Sequence, residues 1–137
     1  MGLDTYAARR PLARDVYEIT DEACGLTRLD LRALRRAQKR CERINGVCIF
    51  ERKYFRGKLY DEIVEYLTGV SLGQWWIPPE TVAEMAERFQ ERDSADLADA
   101  FNESGGGYRE TNELEIADLA TFFGVCARRG LGLVGTM

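Results

Sequence analysis

The chain has 137 residues, of which 45% are hydrophobic and 31% charged, and its net charge is −4. These values predict one folded domain over residues 1–137 and exclude a disordered, fibrous or low-complexity chain. No apolar run reaches the roughly 18 residues that a membrane-spanning helix needs, and we do not expect residues 1–12 to act as a secretory signal. We therefore expect a cytoplasmic protein without a membrane partner.

The residue types of most enzyme and metal sites are scarce. Histidine is absent, which removes the commonest general base near neutral pH and the commonest metal ligand. The four cysteines (Cys24, Cys41, Cys48 and Cys126) lack the short C-x-x-C spacing typical of zinc ligands. We expect four free thiols and assign no catalytic residue, metal or cofactor.

The first predicted elements are a strand at Gly2–Ala8 and a helix at Leu26–Ile44. Asn45-Gly46 ends this helix and turns the chain into a second strand at Val47–Phe50. The predicted buried face of the helix comprises Leu26, Leu29, Leu34, Ala37, Cys41 and Ile44.

The middle of the chain alternates helices and loops. Lys58–Thr68 has the apolar spacing of a helix, and Gly69 supplies a left-handed cap. Ser71–Ile77 is predicted to be a loop. Pro78-Pro79 opens the next helix, which we expect to end near Asp93.

Two further helices and a strand complete the chain. Ser94 is predicted to cap a short helix that Gly105–Gly107 terminates. Asn112, with Glu115 three residues later, forms the capping signature of the most apolar helix, predicted to be central. Leu131–Val134 is the last strand. The predicted fold is α+β, with four or five helices around a small sheet that includes both chain termini.

Four segments carry a resemblance: MGLDTYA at 1–7, FRGKLY at 55–60, WIPPE at 76–80 and CARRGLGLVG at 126–135. Together they resemble an uncharacterised family of small microbial proteins, over about half of the chain. The resemblance implies no activity, ligand or catalytic residue. The arginine-rich segment Arg28–Arg43 departs from it, so we expect a property peculiar to this protein there.

Charge is sorted along the chain: residues 9–58 carry a net +7 and residues 59–137 a net −10. Such sorting favours a folded molecule with one positive and one negative face. In the first helix, basic residues lie opposite the predicted apolar face. They indicate a partner-binding surface, a nucleic-acid contact, or a solvated face paired with the protein's own acidic helices. The residues assigned to the partner surface are Arg32, Arg36, Lys39 and Arg40.

Residues 80–118 form an acidic region, with 12 carboxylates against Arg88, Arg92 and Arg109. Such a region can imitate a row of phosphates, as an inhibitor of a nucleic-acid enzyme would. The alternative is that these carboxylates are the polar faces of amphipathic helices.

Trp75, Trp76 and Ile77 form an aromatic cluster in the predicted loop. Adjacent tryptophans on a loop do not easily point into one core, so we expect one to pack beside Leu67 or Phe89 and the other to be exposed for partner binding. The alternative is that both cover the core.

Arg56, Gly57 and Lys58 immediately precede a helix, where free N–H groups and two cations form a weak candidate anion site. A plain turn is the alternative.

These features predict a non-enzymatic protein that binds another macromolecule, a protein foremost, through charged and aromatic surface. The alternatives are a nucleic-acid-binding protein that uses the Arg28–Arg43 helix, an inhibitor or mimic that uses the acidic region, and a small histidine-free enzyme.

Overall fold

The computed structural model describes residues 3–13, 19–38, 54–55, 57–105, 107 and 109–136. Within them the chain has the predicted α+β fold, with six helices and a four-stranded antiparallel sheet. The elements are β1 (Asp4–Ala8), α1 (Asp21–Cys24), α2 (Arg28–Gln38), β2 (Tyr54–Phe55), α3 (Gly57–Thr68), β3 (Trp76–Ile77), α4 (Pro79–Gln90), α5 (Ser94–Ser104), α6 (Glu113–Arg128) and β4 (Gly132–Thr136).

The sheet has the strand order β2-β1-β4-β3. Its centre is the pairing of β1 with β4, which runs from Asp4 opposite Thr136 to Ala8 opposite Gly132. The prediction that strands near both chain ends share one sheet is therefore confirmed. The strand predicted at Val47–Phe50 lies outside the described residues.

The edge strand β3 lies in the segment predicted to be a loop. Trp76 pairs with Val134 and Ile77 with Leu133, so the loop prediction is wrong for these two residues. A two-residue strand has no periodicity of its own, and only its pairing with a distant part of the chain defines it.

Two glycines of β4 allow this pairing. A Cβ atom on Gly132 would lie 2.5 Å from the carbonyl oxygen of Ile77, and one on Gly135 would lie 2.5 Å from that of Gln74. Real Cβ atoms do not approach backbone oxygens so closely. The absence of a side chain at Gly132 and Gly135 thus lets the 74–77 segment lie directly against β4.

Local signals place most helix ends where they were predicted, but the predicted cap of α5 by Ser94 is wrong, because Asp93 is the N-cap and Ser94 is the first helical residue. The Asn112 side chain accepts a hydrogen bond from the Glu115 N–H (3.0 Å) and caps α6. Gly69 and Gly105 take left-handed φ angles of 76° and 66° after α3 and α5. The one-turn helix α1, which Thr20 caps, was not predicted. The part of the predicted first helix beyond Gln38 lies outside the described residues.

Helix α6 lies at the centre of the core, as predicted, and packs against α2, α4 and α5. Its buried residues include Leu119, Phe122 and Phe123. The Phe123 ring contacts those of Phe89 (5.3 Å between centroids) and Phe55 (6.1 Å). These rings join the sheet edge to two helices.

Two of the four cysteines are described, and both are buried, free thiols. Burial raises the pKa of Cys24 to about 11 and also raises the pKa of Cys126. Both side chains belong to the hydrophobic core. Cys41 and Cys48 lie outside the described residues, so their free state stays a prediction.

Candidate functional site

The helix with the predicted basic surface, α2, is held by its first turn. The Thr27 N–H donates to Asp30 Oδ2 (2.9 Å), and the Asp30 N–H donates to Thr27 Oγ1 (3.1 Å), which forms a reciprocal cap. Arg129, which follows α6, donates from Nε to Asp30 Oδ2 (2.9 Å) and from Nη2 to Asp30 Oδ1 (2.9 Å). Because Asp30 and the buried Leu34 both face the protein, the rotation of α2 about its axis is fixed.

The opposite side of α2 is exposed, and we call it the basic ridge. Leu29 is 70% exposed, the highest value among the exposed large hydrophobic side chains described. The predicted burial of Leu29 is therefore wrong. The spacing that placed it in the core assumed a helix from Leu26, whereas α2 begins at Arg28 and is oriented by Asp30. The basic ridge consists of Arg28, Leu29, Arg32, Ala33 and Arg36, all exposed.

The arginines of the basic ridge have no carboxylate partner among the described residues. The ion pairs found there join Arg88 to Glu91, Arg109 to Glu115 and Arg129 to Asp30. The alternative in which the ridge is neutralised by the protein's own acidic helices thus finds no support in this part of the chain.

Two of the residues assigned to the partner surface, Arg32 and Arg36, lie on the basic ridge. The other two, Lys39 and Arg40, lie outside the described residues. Their assignment stays a prediction.

The two tryptophans are both half-buried, so the expectation of one buried and one exposed side chain is wrong. The Trp75 indole Nε1–H donates to the Leu12 carbonyl (2.8 Å). Trp76 lies against Gly132. Ile77, assigned to the same binding cluster, is buried in the core. The reason is β3, which holds this segment against β4 instead of leaving it as a free loop.

The start of α3, predicted as a weak anion site, packs against β1. The Lys58 N–H donates to the Leu3 carbonyl (3.1 Å). Gly57 is buried, and a Cβ atom there would lie 3.2 Å from Leu3 Cγ. One of the N–H groups on which an anion site depends is thus already satisfied by the protein. Arg56 lies outside the described residues.

The acidic region is divided between surface and interior. On α5, Asp96, Asp99 and Glu103 are exposed, whereas Glu115 and Asp118 on α6 are buried. The region is therefore not one continuous acidic surface, although its α5 part is available to a partner.

An ion pair between a buried carboxylate and an exposed arginine was not predicted from the sequence. Arg109 donates from Nη1 and Nη2 to the two carboxylate oxygens of Glu115, at 2.8 and 2.7 Å. This hydrogen bonding raises the pKa of Arg109, whose guanidinium also lies 5.3 Å from the Tyr60 ring centroid. The sequence had marked Glu115 only as part of a helix cap. These contacts tie the chain before α6 to α3, which is a structural role.

No group of three or more Cys, Asp or Glu residues able to hold a metal ion occurs among the residues that the structure describes. None of the described helices is long and apolar enough to cross a membrane. Comparison of the chain with protein-family models, curated proteins and solved structures finds no match. The resemblance drawn from the four segments stays a prediction.

The contact between Asp30 and Arg129, which orients α2, should make the stability of the protein depend on pH. Burial opposes ionisation of Asp30, but hydrogen bonds from Arg129 and Thr27 outweigh it and lower its pKa. A lowered pKa contributes stability above the unfolded-state value of about 3.9, and this is lost as the pH falls through the folded-state value. We therefore expect Asp30→Asn to cost about 1–2 kcal/mol at pH 7 and less below pH ~3.

Urea unfolding of wild type and Asp30→Asn between pH 7 and about pH 3 measures the difference in unfolding free energy. Glu65→Gln, at an exposed carboxylate, is the matched control and should run parallel to wild type. A constant difference between Asp30→Asn and wild type at all pH values would contradict the expected role of the Asp30 charge.

Proposed function

We propose that this chain is a non-enzymatic protein-binding protein and that the basic ridge is its binding surface. The observation that carries the proposal is Leu29, which is 70% exposed beside arginines that no described carboxylate neutralises. An apolar side chain surrounded by charged ones has the anatomy of a protein interface, with an apolar centre and a polar rim. Carboxylates on the partner would complement Arg32 and Arg36.

A protein partner fits this surface better than a nucleic acid. A phosphate backbone offers charge to the arginines but little apolar surface to Leu29. The net charge of −4 and the exposed carboxylates of α5 also oppose the approach of a polyanion. The combination of leucine and arginine, and not the arginines alone, supports the proposal.

Affinity purification from the native cell, with nuclease present, tests the proposal. We expect Arg32→Glu/Arg36→Glu to reduce recovery of the bound protein at least about tenfold, because it places two carboxylates opposite an acidic surface. The matched control is Arg10→Glu/Arg92→Glu, which makes the same change in net charge at two exposed arginines outside α2.

A second pair of variants separates the apolar contribution from charge. Leu29→Ala should reduce recovery several-fold, whereas Leu114→Ala, at a 43% exposed leucine on α6, should leave it unchanged. Equal recovery with all four variants would overturn the proposal. Complete loss of captured material after nuclease treatment would favour the nucleic-acid alternative, and unfolding of Arg32→Glu/Arg36→Glu would favour internal pairing.

A further inference from the structure

The outward side of α5 carries a row of carboxylates that we call the acidic row: Asp96, Asp99 and Glu103. Their spacing of three and four residues places them on one face of the helix. All three are exposed, and none forms an ion pair among the described residues. Ala100 is half-buried and lies one turn from both Asp96 and Glu103.

The acidic row matches the basic ridge in length and in arrangement. At 1.5 Å per residue, Arg28 and Arg36 are separated by about 12 Å along α2, and Asp96 and Glu103 by about 10.5 Å along α5. Each surface also has an apolar position among its charges. This position is Leu29 on the ridge and the half-buried Ala100 in the row.

We propose that the basic ridge of one copy of this protein docks onto the acidic row of a second copy. The inference rests on the proposed function, since it uses the same ridge and names a second copy as the occupant. Charge complementarity supports this choice: neither surface is neutralised among the described residues of one copy, yet every copy supplies both at equal concentration. The two surfaces differ, so the contact is head-to-tail and leads to a chain or a closed ring.

Sedimentation velocity on the purified protein tests the contact. At about 0.05 M salt we expect the weight-average sedimentation coefficient of wild type to rise with concentration up to about 1 mM. At about 1 M salt it should return to the monomer value, because exposed charges are screened. The variants Arg32→Glu/Arg36→Glu and Asp96→Lys/Asp99→Lys should each remain monomeric at low salt. The matched controls, Arg10→Glu/Arg92→Glu and Glu65→Lys/Glu110→Lys, should associate as wild type does.

A mixing experiment is decisive. The Arg32→Glu/Arg36→Glu variant presents two acidic surfaces, and the Asp96→Lys/Asp99→Lys variant presents two basic ones. An equimolar mixture should associate, although neither variant does so alone. If the lysine variant does not fold, as judged by circular dichroism, Asp96→Asn/Asp99→Asn replaces it in the monomer test. This variant must then self-associate more weakly than wild type.

Wild type that stays monomeric at about 1 mM and low salt overturns the inference. So does a mixture of folded variants that stays monomeric. If ridge-dependent capture of a different protein persists in either case, the proposed function stands and only the choice of a second copy is wrong. If that capture is also independent of the ridge, both proposals fail.

Discussion

Phe55→Ala is expected to destabilise the protein by about 3–5 kcal/mol, the usual cost of removing a buried aromatic ring. The Phe55 side chain is 0% exposed. Its ring packs edge-on against Phe122 (5.2 Å between centroids) and Tyr60 (6.0 Å). Because a domain is typically stable by only about 5–15 kcal/mol, this loss approaches the whole stability of a modest domain. Urea unfolding followed by far-UV circular dichroism measures the change.

The neighbouring Leu59 provides the control, because its side chain is 41% exposed. Leu59→Ala should change the unfolding free energy by about 0.5 kcal/mol or less. Should Phe55→Ala fail to fold, Phe55→Leu keeps most of the buried volume and should fold with a smaller loss. Equal effects of Phe55→Ala and Leu59→Ala would contradict the packing of β2 against α6.

The elements predicted correctly depend on local chemistry. The cap from Asn112 to Glu115 and the left-handed conformation of Gly69 involve residues at most a few positions apart, so the sequence displays them directly. The strand β3 depends instead on pairing with Leu133 and Val134, more than 50 residues away along the chain. No local pattern in Trp76 and Ile77 indicates such a partner.

The candidate binding surface was predicted only in part, because it too depends on a contact between residues far apart along the chain. Helical periodicity placed Arg32 and Arg36 on the exposed side of α2, and the structure describes them there. It placed Leu29 in the core because a short apolar pattern leaves the rotation of a helix undecided. The rotation is set by the contact between Asp30 and Arg129, which are 99 residues apart. Exposure of Leu29, the feature that supports protein binding, is therefore visible only in three dimensions.

The two residues of the ion pair between Arg109 and Glu115 are expected to respond unequally to truncation. The Glu115 side chain is only 3% exposed, whereas that of Arg109 is 42% exposed. Arg109→Ala leaves a buried carboxylate without its bidentate partner, which typically costs about 3–5 kcal/mol. Glu115→Ala leaves a guanidinium that water can reach, so we expect a smaller cost of about 1–3 kcal/mol.

A double variant identifies the unpaired charge as the cause. Arg109→Ala/Glu115→Gln carries no buried, unpaired carboxylate and should be more stable at pH 7 than Arg109→Ala alone. Urea unfolding of the two single variants and the double variant at pH 7 measures these differences. If the double variant is less stable than Arg109→Ala at pH 7, lost packing of the Arg109 side chain on Tyr60, and not an unpaired charge, is the main cost.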